Sequence, residues 1–228
     1  MKKRIIVLSL GGSLMVPDKV DYEFISEFKK VISKLKRKYK FVVVVGGGGT
    51  ARTYIEGLRG FNEKIKSLMG IGITRMNARF MMIFFGKNPD HKMPKSIKQI
   101  KYALGKNDVL FVGGLRYEPK NTSDGTAAQI ASVLKSDLIN LTNVDGLYTK
   151  DPRKYRDAKF IPQISWQGFK KIVSKIKYKA GQHFVLDQHA AEIIMKNFVR
   201  TVILNGGNLK NFEDYLEGKK FKGTVIYG

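Results

Sequence analysis

The chain of 228 residues contains no cysteine. A disulfide scaffold, a cysteine-ligated zinc finger and a catalytic thiol are therefore excluded together. Only 6 prolines are present, and no apolar run approaches the ~20 residues that a membrane-spanning helix requires. The apolar run after Arg4 ends at Gly11-Gly12 and lacks a small-residue cleavage site, so it predicts a β-strand instead of a signal peptide. We expect a cytoplasmic protein that does not associate with membranes.

Acidic residues are scarce, because 19 Asp and Glu stand against 42 Lys and Arg and leave a formal net charge of +23. Such a charge suits a nucleic-acid binder, an acidic membrane surface, anionic small substrates or a lysine-rich proteome. Lysine supplies 32 of the 42 cations, whereas proteins that read bases rely on the bidentate geometry of arginine. The basic run Lys170–Lys179 carries one stacking aromatic, Tyr178, and is typical of a solvated helix face. Nucleic-acid binding is therefore not expected.

Apolar, β-branched runs alternate with helical patterns along the whole chain. Short continuous runs such as Phe41–Val45 are typical of parallel strands that helices cover on both faces. The alternation predicts one doubly wound α/β domain over residues 1–228. Strands are predicted at Ile5–Leu10, Phe41–Val45, Val109–Val112, Leu138–Thr142 and Thr201–Leu204. Helices are predicted on the apolar stripe Ile25, Phe28, Ile32 and Leu35, and near 50–58, 66–85, 95–104, 123–135, 165–177 and 187–197.

Three glycine clusters follow three of the predicted strands. Open parallel sheets bind ligands beyond the carboxyl ends of their strands, where these clusters stand. Glycine lets backbone N–H groups approach a phosphate closely, and the N-terminus of a following helix adds its positive dipole end. The clusters are Ser9–Ser13, Gly46–Arg52 and Gly113-Gly114.

The second cluster carries the clearest signal, because four consecutive glycines, Gly46 to Gly49, open a predicted helix and Arg52 follows them. This combination favours phosphate binding over a simple tight turn, whereas Gly113-Gly114 alone fits either interpretation. Neither a dinucleotide-binding G-x-G-x-x-G motif with its acidic partner nor a P-loop is present. The glycines therefore predict a phosphate site of another architecture.

Two further segments are dense in polar side chains. Asn121–Thr126 places hydroxyls and a carboxylate before a predicted helix. One such residue is enough for a helix cap, so the cluster favours ligand contact, with capping as the alternative. In Thr142–Pro152 a turn signal at Asp145-Gly146 is followed by Tyr148 and a second carboxylate. This segment is either an ordinary turn or a site for an adenine and a metal–nucleotide.

Taken in order, these segments resemble those of the amino acid kinase superfamily, and most closely its archaeal-type uridylate kinase branch. Each segment is a weak signal alone, but the ordered set covers nearly the whole chain. The matching segments are Leu10–Ser13, Val45–Arg52, Gly70–Ala78, Thr122–Asp124, Thr142–Tyr148 with Asp151-Pro152, and Leu186-Asp187 with Ala190-Ala191.

The resemblance implies an eight-stranded, mainly parallel sheet, a homohexamer, and transfer of the γ-phosphate of ATP to UMP with Mg²⁺ bridging the ATP oxygens. No metal site built by the protein itself is expected. Arg52 and Asp124 are the implied catalytic residues. The residues implied for ATP are Gly12, Ser13, Gly48, Arg52, Thr142, Tyr148 and Asp151. Those implied for UMP are Gly47, Ser67, Pro119, Lys120, Asn121, Thr122, Ser123, Asp124 and Gly125.

The sequence departs from the family pattern at four places. Ser9 stands where many members have a lysine, and Ser67 stands where uridylate kinases usually carry an aspartate for the UMP ribose. The loop Leu115–Ser123 is about two residues longer than the family form and has unusual contents (Arg116, Glu118 and Lys120). Gln188-His189 replaces a more apolar pair. These departures bear on the acceptor and on the rate more than on the fold.

Alternatives to a UMP kinase stay open. Isopentenyl phosphate kinases are similar but carry a histidine in the second glycine loop, and Gly48–Thr50 has none. A non-catalytic protein that binds or stores anions would also use anion-ready loops. His183 and His189 lie six positions apart without acidic partners at metal-site spacing, so we interpret them as ordinary surface or packed histidines.

Overall fold

A computed structural model describes residues 3–119, 121–174 and 186–228. Helices and strands alternate along the chain, as the sequence predicts. In order the elements are β1 (Arg4–Leu10), α1 (Gly12–Met15), α2 (Tyr22–Leu35), β2 (Tyr39–Val45), α3 (Gly48–Gly57), α4 (Glu63–Phe84), α5 (Ile97–Lys106), β3 (Val109–Val112), α6 (Ser123–Leu134), β4 (Asp137–Thr142), β5 (Leu147–Tyr148), β6 (Phe160–Ile161), β7 (Gln163–Ile164), α7 (Trp166–Ser174), α8 (Gln188–Lys196), β8 (Thr201–Asn205), α9 (Leu209–Leu216) and β9 (Thr224–Ile226).

The described residues form a seven-stranded sheet in the order β3-β2-β1-β4-β8-β9-β7. Neighbouring strands run parallel except β8 and β9, which pair antiparallel. The predicted α/β class with a mainly parallel sheet is confirmed. Within the described ranges the central sheet has seven strands, whereas the resemblance implies eight, and β5 and β6 pair with each other in a separate two-stranded sheet.

Successive side chains of each central strand point to opposite faces of the sheet, and both faces are covered by helices. In β2, Phe41, Val43 and Val45 enter one core together with α2, α4 and α9. Val42 and Val44 enter the other core together with α5, α6, α7 and α8. The continuous apolar run Phe41–Val45 is therefore explained by a strand buried on both sides.

The helix α2 shows how the pattern specifies packing. Its apolar stripe is fully or almost fully buried, as expected, and its lysines line the opposite face. Asp21 caps the helix, since its carboxylate accepts a hydrogen bond of 2.9 Å from the Phe24 amide. Lys34 forms ion pairs with Glu213 and Glu217, so part of the basic surface is neutralised inside the fold.

The strands β1, β2 and β4 are parallel neighbours, so their carboxyl ends lie side by side. Leu10, the last residue of β1, is in register with Val45 of β2 and with Leu141 of β4. The glycine clusters and the 142–152 segment therefore emerge at one edge of the sheet. In the part of the chain that the structure describes, no helix is long and apolar enough to cross a membrane.

Candidate active site

The first two glycine clusters are in direct backbone contact. The Gly46 amide donates a hydrogen bond of 2.9 Å to the Leu10 carbonyl. A Cβ atom on Gly12 would lie 2.2 Å from the Gly48 nitrogen and 2.6 Å from the Gly46 carbonyl carbon. No side chain fits in this space, so Gly12 allows the two loops to form one continuous backbone surface.

The helix α3 begins inside this surface. Gly48 has a φ angle of +64°, which a residue with a side chain rarely adopts, and a Cβ there would lie 2.5 Å from the Val16 carbonyl oxygen. The Gly49 amide donates 2.8 Å to the same carbonyl and fixes the first turn. Amide groups of a helix N-terminus and its dipole favour a bound anion. The predicted contribution of Gly47 and Gly48 thus lies at a surface suited to phosphate.

Asn77 of α4 supports the second glycine loop from below. Its side-chain amide donates hydrogen bonds of 2.9 Å to the Gly46 carbonyl and 3.1 Å to the Gly47 carbonyl, and the residue is only 4% exposed. Sequence reasoning did not assign this role. The signal was a polar residue among the buried positions of a long helix, where an amide needs a partner.

Arg52 and Ser13 lie at the two helices that begin in the glycine loops. Arg52 is exposed in the first turns of α3, and one of its Nη atoms is 3.4 Å from the Pro17 carbonyl oxygen. Ser13 is half-buried in α1. The Arg52 guanidinium therefore extends toward the turn after α1 and is accessible to a ligand.

Asp124, at the start of α6, is held against the end of β1. The Ser9 hydroxyl donates a hydrogen bond of 2.5 Å to its carboxylate. Burial of the carboxyl, together with the charge of nearby Asp187, raises the pKa of Asp124 to about 7, although the bond from Ser9 acts in the opposite direction. Asp124 can thus change its charge near neutral pH.

Asp187 links the start of α6 to the start of α8. One of its carboxylate oxygens accepts a hydrogen bond from the Thr122 hydroxyl, and the other accepts 2.8 Å from the Ala190 amide and caps α8. The Thr122 hydroxyl in turn accepts a bond of 3.1 Å from the Asp124 amide. Thr122 therefore caps α6, as one interpretation of the 121–126 segment predicts, and ligand contact by this segment stays a prediction.

The third glycine cluster packs on α4. A Cβ on Gly113 would lie 2.5 Å from the Arg75 amide nitrogen. The Arg75 guanidinium donates hydrogen bonds to the carbonyls of Gly114, at 2.9 Å, and of Leu115. The Gly114 amide donates 2.9 Å to the Thr74 hydroxyl. Arg75 therefore holds the loop after β3 in place.

Ser67 lies on the α4 face that points toward these loops. It precedes Ile71 and Thr74 by four and seven positions, which places the three on one side of the helix. A side-chain carbon of Ile71 lies 3.0 Å from the position that a Cβ atom on Gly114 would take. The Thr74 methyl lies 3.8 Å from the corresponding position on Gly47. Ser67 is thus at the edge of the space between the second and third glycine clusters.

The remaining residues expected at the acceptor lie in the loop between β3 and α6, residues 115–122, which we call the acceptor loop, and in the first turn of α6. Pro119 is exposed, Asn121 and Ser123 are half-buried, and Gly125 is buried in the first turn of α6. Lys120 lies outside the described residues, as do Lys175, Lys177, Tyr178, Lys179 and His183.

The residues expected at adenosine are less closely associated. Thr142 ends β4 beside Gly11, whose Cβ position is 3.9 Å from the Thr142 Cα. Tyr148 packs edge-on against Phe160 in the small β5–β6 sheet, with the ring centres 5.4 Å apart. Asp151 lies in the following turn and accepts hydrogen bonds from Arg153, which lower the pKa of its carboxyl. The structure brings Thr142 to the glycine loops, whereas the contacts of Tyr148 and Asp151 lie within their own segment.

Asp145, next to the expected adenosine residues, has a structural role. Its carboxylate accepts hydrogen bonds of 2.5 Å from Lys222 and 3.0 Å from Asn205. The Lys222 ammonium holds the pKa of Asp145 below its usual range. This carboxylate therefore fastens the turn after β4 to the C-terminal part of the chain.

A metal cluster is not found in the described ranges, since no group of three or more His, Asp or Glu residues there is placed to hold an ion. The arrangement consists of backbone amides, one exposed arginine and a titratable carboxyl. Such a set is suited to binding and stabilising transferring phosphoryl groups.

The chain matches the model of the amino acid kinase family over residues 4–205. It is 36% identical over 224 residues to a uridylate kinase of Pyrococcus abyssi, covering 97% of this chain and 98% of that protein. It is also 36% identical over 205 residues to a uridylate kinase of Methanococcus aeolicus, covering 88% and 90%. Among solved structures it is similar to uridylate kinase from Archaeoglobus fulgidus, with a TM-score of 0.83 and 34% identity over 97% of this chain and 99% of that one.

Proposed function

This chain belongs to the amino acid kinase family, and we propose on that premise that it transfers the γ-phosphate of ATP to UMP and releases UDP and ADP. The kinase activity follows from the full-length likeness to uridylate kinases. The single observation that carries the chemistry is the joined backbone surface of Gly12, Gly46 and Gly48, which only glycine permits.

The donor phosphates bind at this joined surface. The helix α3 begins at Gly48 inside this surface, and its N-terminus supplies the positive end of the helix dipole for phosphate oxygens. Arg52, exposed one turn into α3, adds a mobile cation for the charge that develops on the transferred group. Gly12, Ser13, Gly48 and Arg52 are our ATP phosphate residues, with Thr142, Tyr148 and Asp151 toward the adenosine.

UMP binds between Gly47 and the acceptor loop. Ser67 offers a hydroxyl for the ribose, a weaker partner than a carboxylate. Segment 119–125 supplies amide and hydroxyl groups around the acceptor phosphate. Gly47 lies beside Thr74 and Gly114 lies beside Ile71, so α4 borders both loops.

Asp124 and Asp187 suit the divalent cation that accompanies ATP. Burial is the main cause of the raised pKa of Asp124, and the like charge of Asp187 adds to it. A Mg²⁺ ion held by these two carboxylates would offset their negative charge and would supply charge neutralisation for the phosphates. Oxygen donors of this kind are the ligands that Mg²⁺ prefers, so the residues present fit the ion.

The acceptor phosphate of UMP is itself the nucleophile, so the protein contributes position and charge stabilisation. The rigid supports of the loops serve this task. Asn77 holds the donor loop and Arg75 holds the loop after β3, both through backbone carbonyls of α4-facing glycines. A small misplacement of either loop would separate the reacting groups.

We further propose that the chain acts as a homo-oligomer, up to the hexamer that the family resemblance implies. An apolar stripe is exposed along α4 on the side opposite Ser67 and Thr74. It consists of Ile65, Leu68, Met76 and Ile83, which are 39%, 48%, 53% and 46% exposed. We expect a second copy of the chain to cover this apolar stripe. Sedimentation velocity of the purified protein measures the oligomeric state and so tests this expectation.

The proposed activity is tested by incubating the protein with Mg-ATP and each nucleoside monophosphate in turn while ADP and diphosphate products are measured. UMP is the expected acceptor. Product from another monophosphate but none from UMP would contradict the acceptor assignment and leave the phosphotransfer chemistry in place.

A further inference from the structure

Glu118 of the acceptor loop lies between two helices that flank the site. Its carboxylate accepts a hydrogen bond of 2.5 Å from the Gln129 side chain on α6 and one of 2.8 Å from the Arg116 guanidinium. The same carboxylate lies 4.0 Å from the His189 Nε2 atom on α8. Burial raises the pKa of Glu118, but the hydrogen bonds from Gln129 and Arg116 outweigh it and leave the pKa below its usual range. Glu118 is thus held as an anion.

Two polar atoms beside this carboxylate lack partners. Among the residues that the structure describes, Asn121 Oδ1 and His189 Nε2 are buried and make no hydrogen bond. Both side chains rest on the backbone of Gly125, where a Cβ atom would lie 2.2 Å from Asn121 Oδ1 and 3.1 Å from His189 Cδ2. A buried polar atom without a partner is unfavourable, so both atoms would gain from a hydrogen-bond partner.

The N-terminus of α8 meets the acceptor loop at two points. Asp187 accepts the hydrogen bond from Thr122 at the end of the loop. His189, two residues later, faces Glu118 in the middle of the loop. The first contact is made, whereas the second is about 1 Å longer than a hydrogen bond.

We propose that Glu118 is a positioning residue for the acceptor: it ties the acceptor loop to Gln129 of α6 and, together with His189 of α8, fixes the loop where UMP binds. This inference rests on the proposed function and deepens it. Arg116, Glu118 and His189 then act together on the position of the loop.

We expect the contacts of Glu118 to affect the binding of UMP and not that of ATP. The donor loops are held by their own backbone contacts and by Asn77, none of which involves the acceptor loop. Loss of Glu118 therefore should weaken UMP binding while the affinity for ATP stays the same. A residue that merely supported the fold would change both constants or the melting temperature.

Steady-state kinetics with varied UMP and varied ATP test the inference on the variants Glu118→Ala, Glu118→Gln and His189→Ala. Glu118→Ala is expected to raise the KM for UMP about tenfold, the effect of losing a hydrogen bond to a charged group, with the KM for ATP within twofold of wild type. Glu118→Gln keeps an acceptor for Gln129 and should recover part of the loss. The matched control is Glu27→Ala, which removes an exposed carboxylate with one ion pair on α2.

Coupling between the two residues is measured with the double variant of Glu118→Ala and His189→Ala. If the two side chains meet in the UMP complex, the double variant should be little worse than Glu118→Ala alone. Effects that multiply independently would overturn the contact, and an unchanged KM for UMP in Glu118→Ala would overturn the positioning role. Wild-type enzyme that makes no UDP would instead contradict the proposed function. Should Glu118→Ala fail to fold, Glu118→Gln and His189→Ala still decide the question through the same KM comparison.

Discussion

The Ser9 hydroxyl donates a hydrogen bond of 2.5 Å to the Asp124 carboxylate, and so joins two residues that are 115 positions apart in the chain. Ser9 lies two residues before the first glycine loop, and Asp124 opens the helix that follows the acceptor loop. The bond therefore ties the donor side of the proposed site to the acceptor side. It also accounts for a serine at a position where many relatives of this family have a lysine, since a hydroxyl donates to this carboxylate without adding charge.

Asp124 makes stability depend on pH. Its pKa is raised from 3.8 to about 7 in the folded protein, so the folded state binds this proton more tightly than the unfolded state. The contribution to stability is fully present below about pH 4 and is lost as the pH rises to about 7. The Asp124→Asn variant cannot ionise at this position, so its stability does not fall as the pH rises. At pH 8 we expect its free energy of unfolding to exceed that of wild type by about 3 kcal/mol.

Urea unfolding of wild type and Asp124→Asn between pH 4 and pH 8 measures this difference. The gap between the two proteins should open as the pH rises. A gap that is constant with pH would show that Asp124 titrates as it does in the unfolded chain. In activity assays the same variant should lose at least about 100-fold in kcat if the carboxylate acts on the phosphates or their cation.

Glycine at position 48 is required by backbone conformation and by space. Gly48→Ala would place a Cβ 2.5 Å from the Val16 carbonyl oxygen at a φ of +64°, and we expect a loss of at least about 2 kcal/mol in stability and of nearly all activity. The control is Gly57→Ala at the end of the same helix, where no atom lies within 4 Å of the added Cβ. Thermal unfolding should show Gly57→Ala unchanged or slightly stabilised. Equal tolerance of both changes would contradict the account of the joined loops.

Arg52 is the exposed cation at the phosphate surface. Arg52→Ala should lower kcat by two or more orders of magnitude and leave the melting temperature within about 2 °C, because the side chain makes one long contact with protein. Arg59→Ala, just beyond the same helix and paired with Glu56, serves as the matched control. Equal kcat values for Arg52→Ala and Arg59→Ala would contradict a role of Arg52 in the site.

Ser67 tests the acceptor side independently. Ser67→Asp should lower the KM for UMP several-fold, because a carboxylate accepts hydrogen bonds from ribose hydroxyls more strongly than a serine hydroxyl does. Asn62→Asp adds the same charge to the same helix one turn earlier and preserves the cap that Asn62 provides. Titration calorimetry with UMP compares the two variants. Similar affinities in Ser67→Asp and wild type would place the ribose elsewhere.

The central strands and the long helices were predictable because their residues repeat with regular periods. Val109–Val112 was predicted with its observed bounds, and the buried stripe of α2 followed from its 3.6-residue period. The elements that were missed are short: α1, three two-residue strands and β9 have too few residues to show a period, and α9 is only eight residues long. The expected eight strands came from the family resemblance, whereas the described residues form a central sheet of seven.

The glycine loops could be singled out from the sequence as candidates for phosphate binding, because four consecutive glycines open a predicted helix after a buried strand. The supports of those loops were not predictable in the same way. Asn77 of α4 donates a hydrogen bond to the Gly46 carbonyl, and Glu118 lies near His189. Tertiary packing brings both pairs together. These contacts join residues far apart in the chain, and neither partner carries a local pattern that identifies the other.

The most direct test of the account is the acceptor comparison, in which purified protein is incubated with Mg-ATP and UMP, CMP, AMP or GMP at equal concentrations. The initial rate of ADP release and the identity of the diphosphate are measured for each. We expect UDP as the main product, with kcat/KM for UMP at least tenfold above that for any other monophosphate. No UDP from UMP, with or without product from another acceptor, would contradict the central claim.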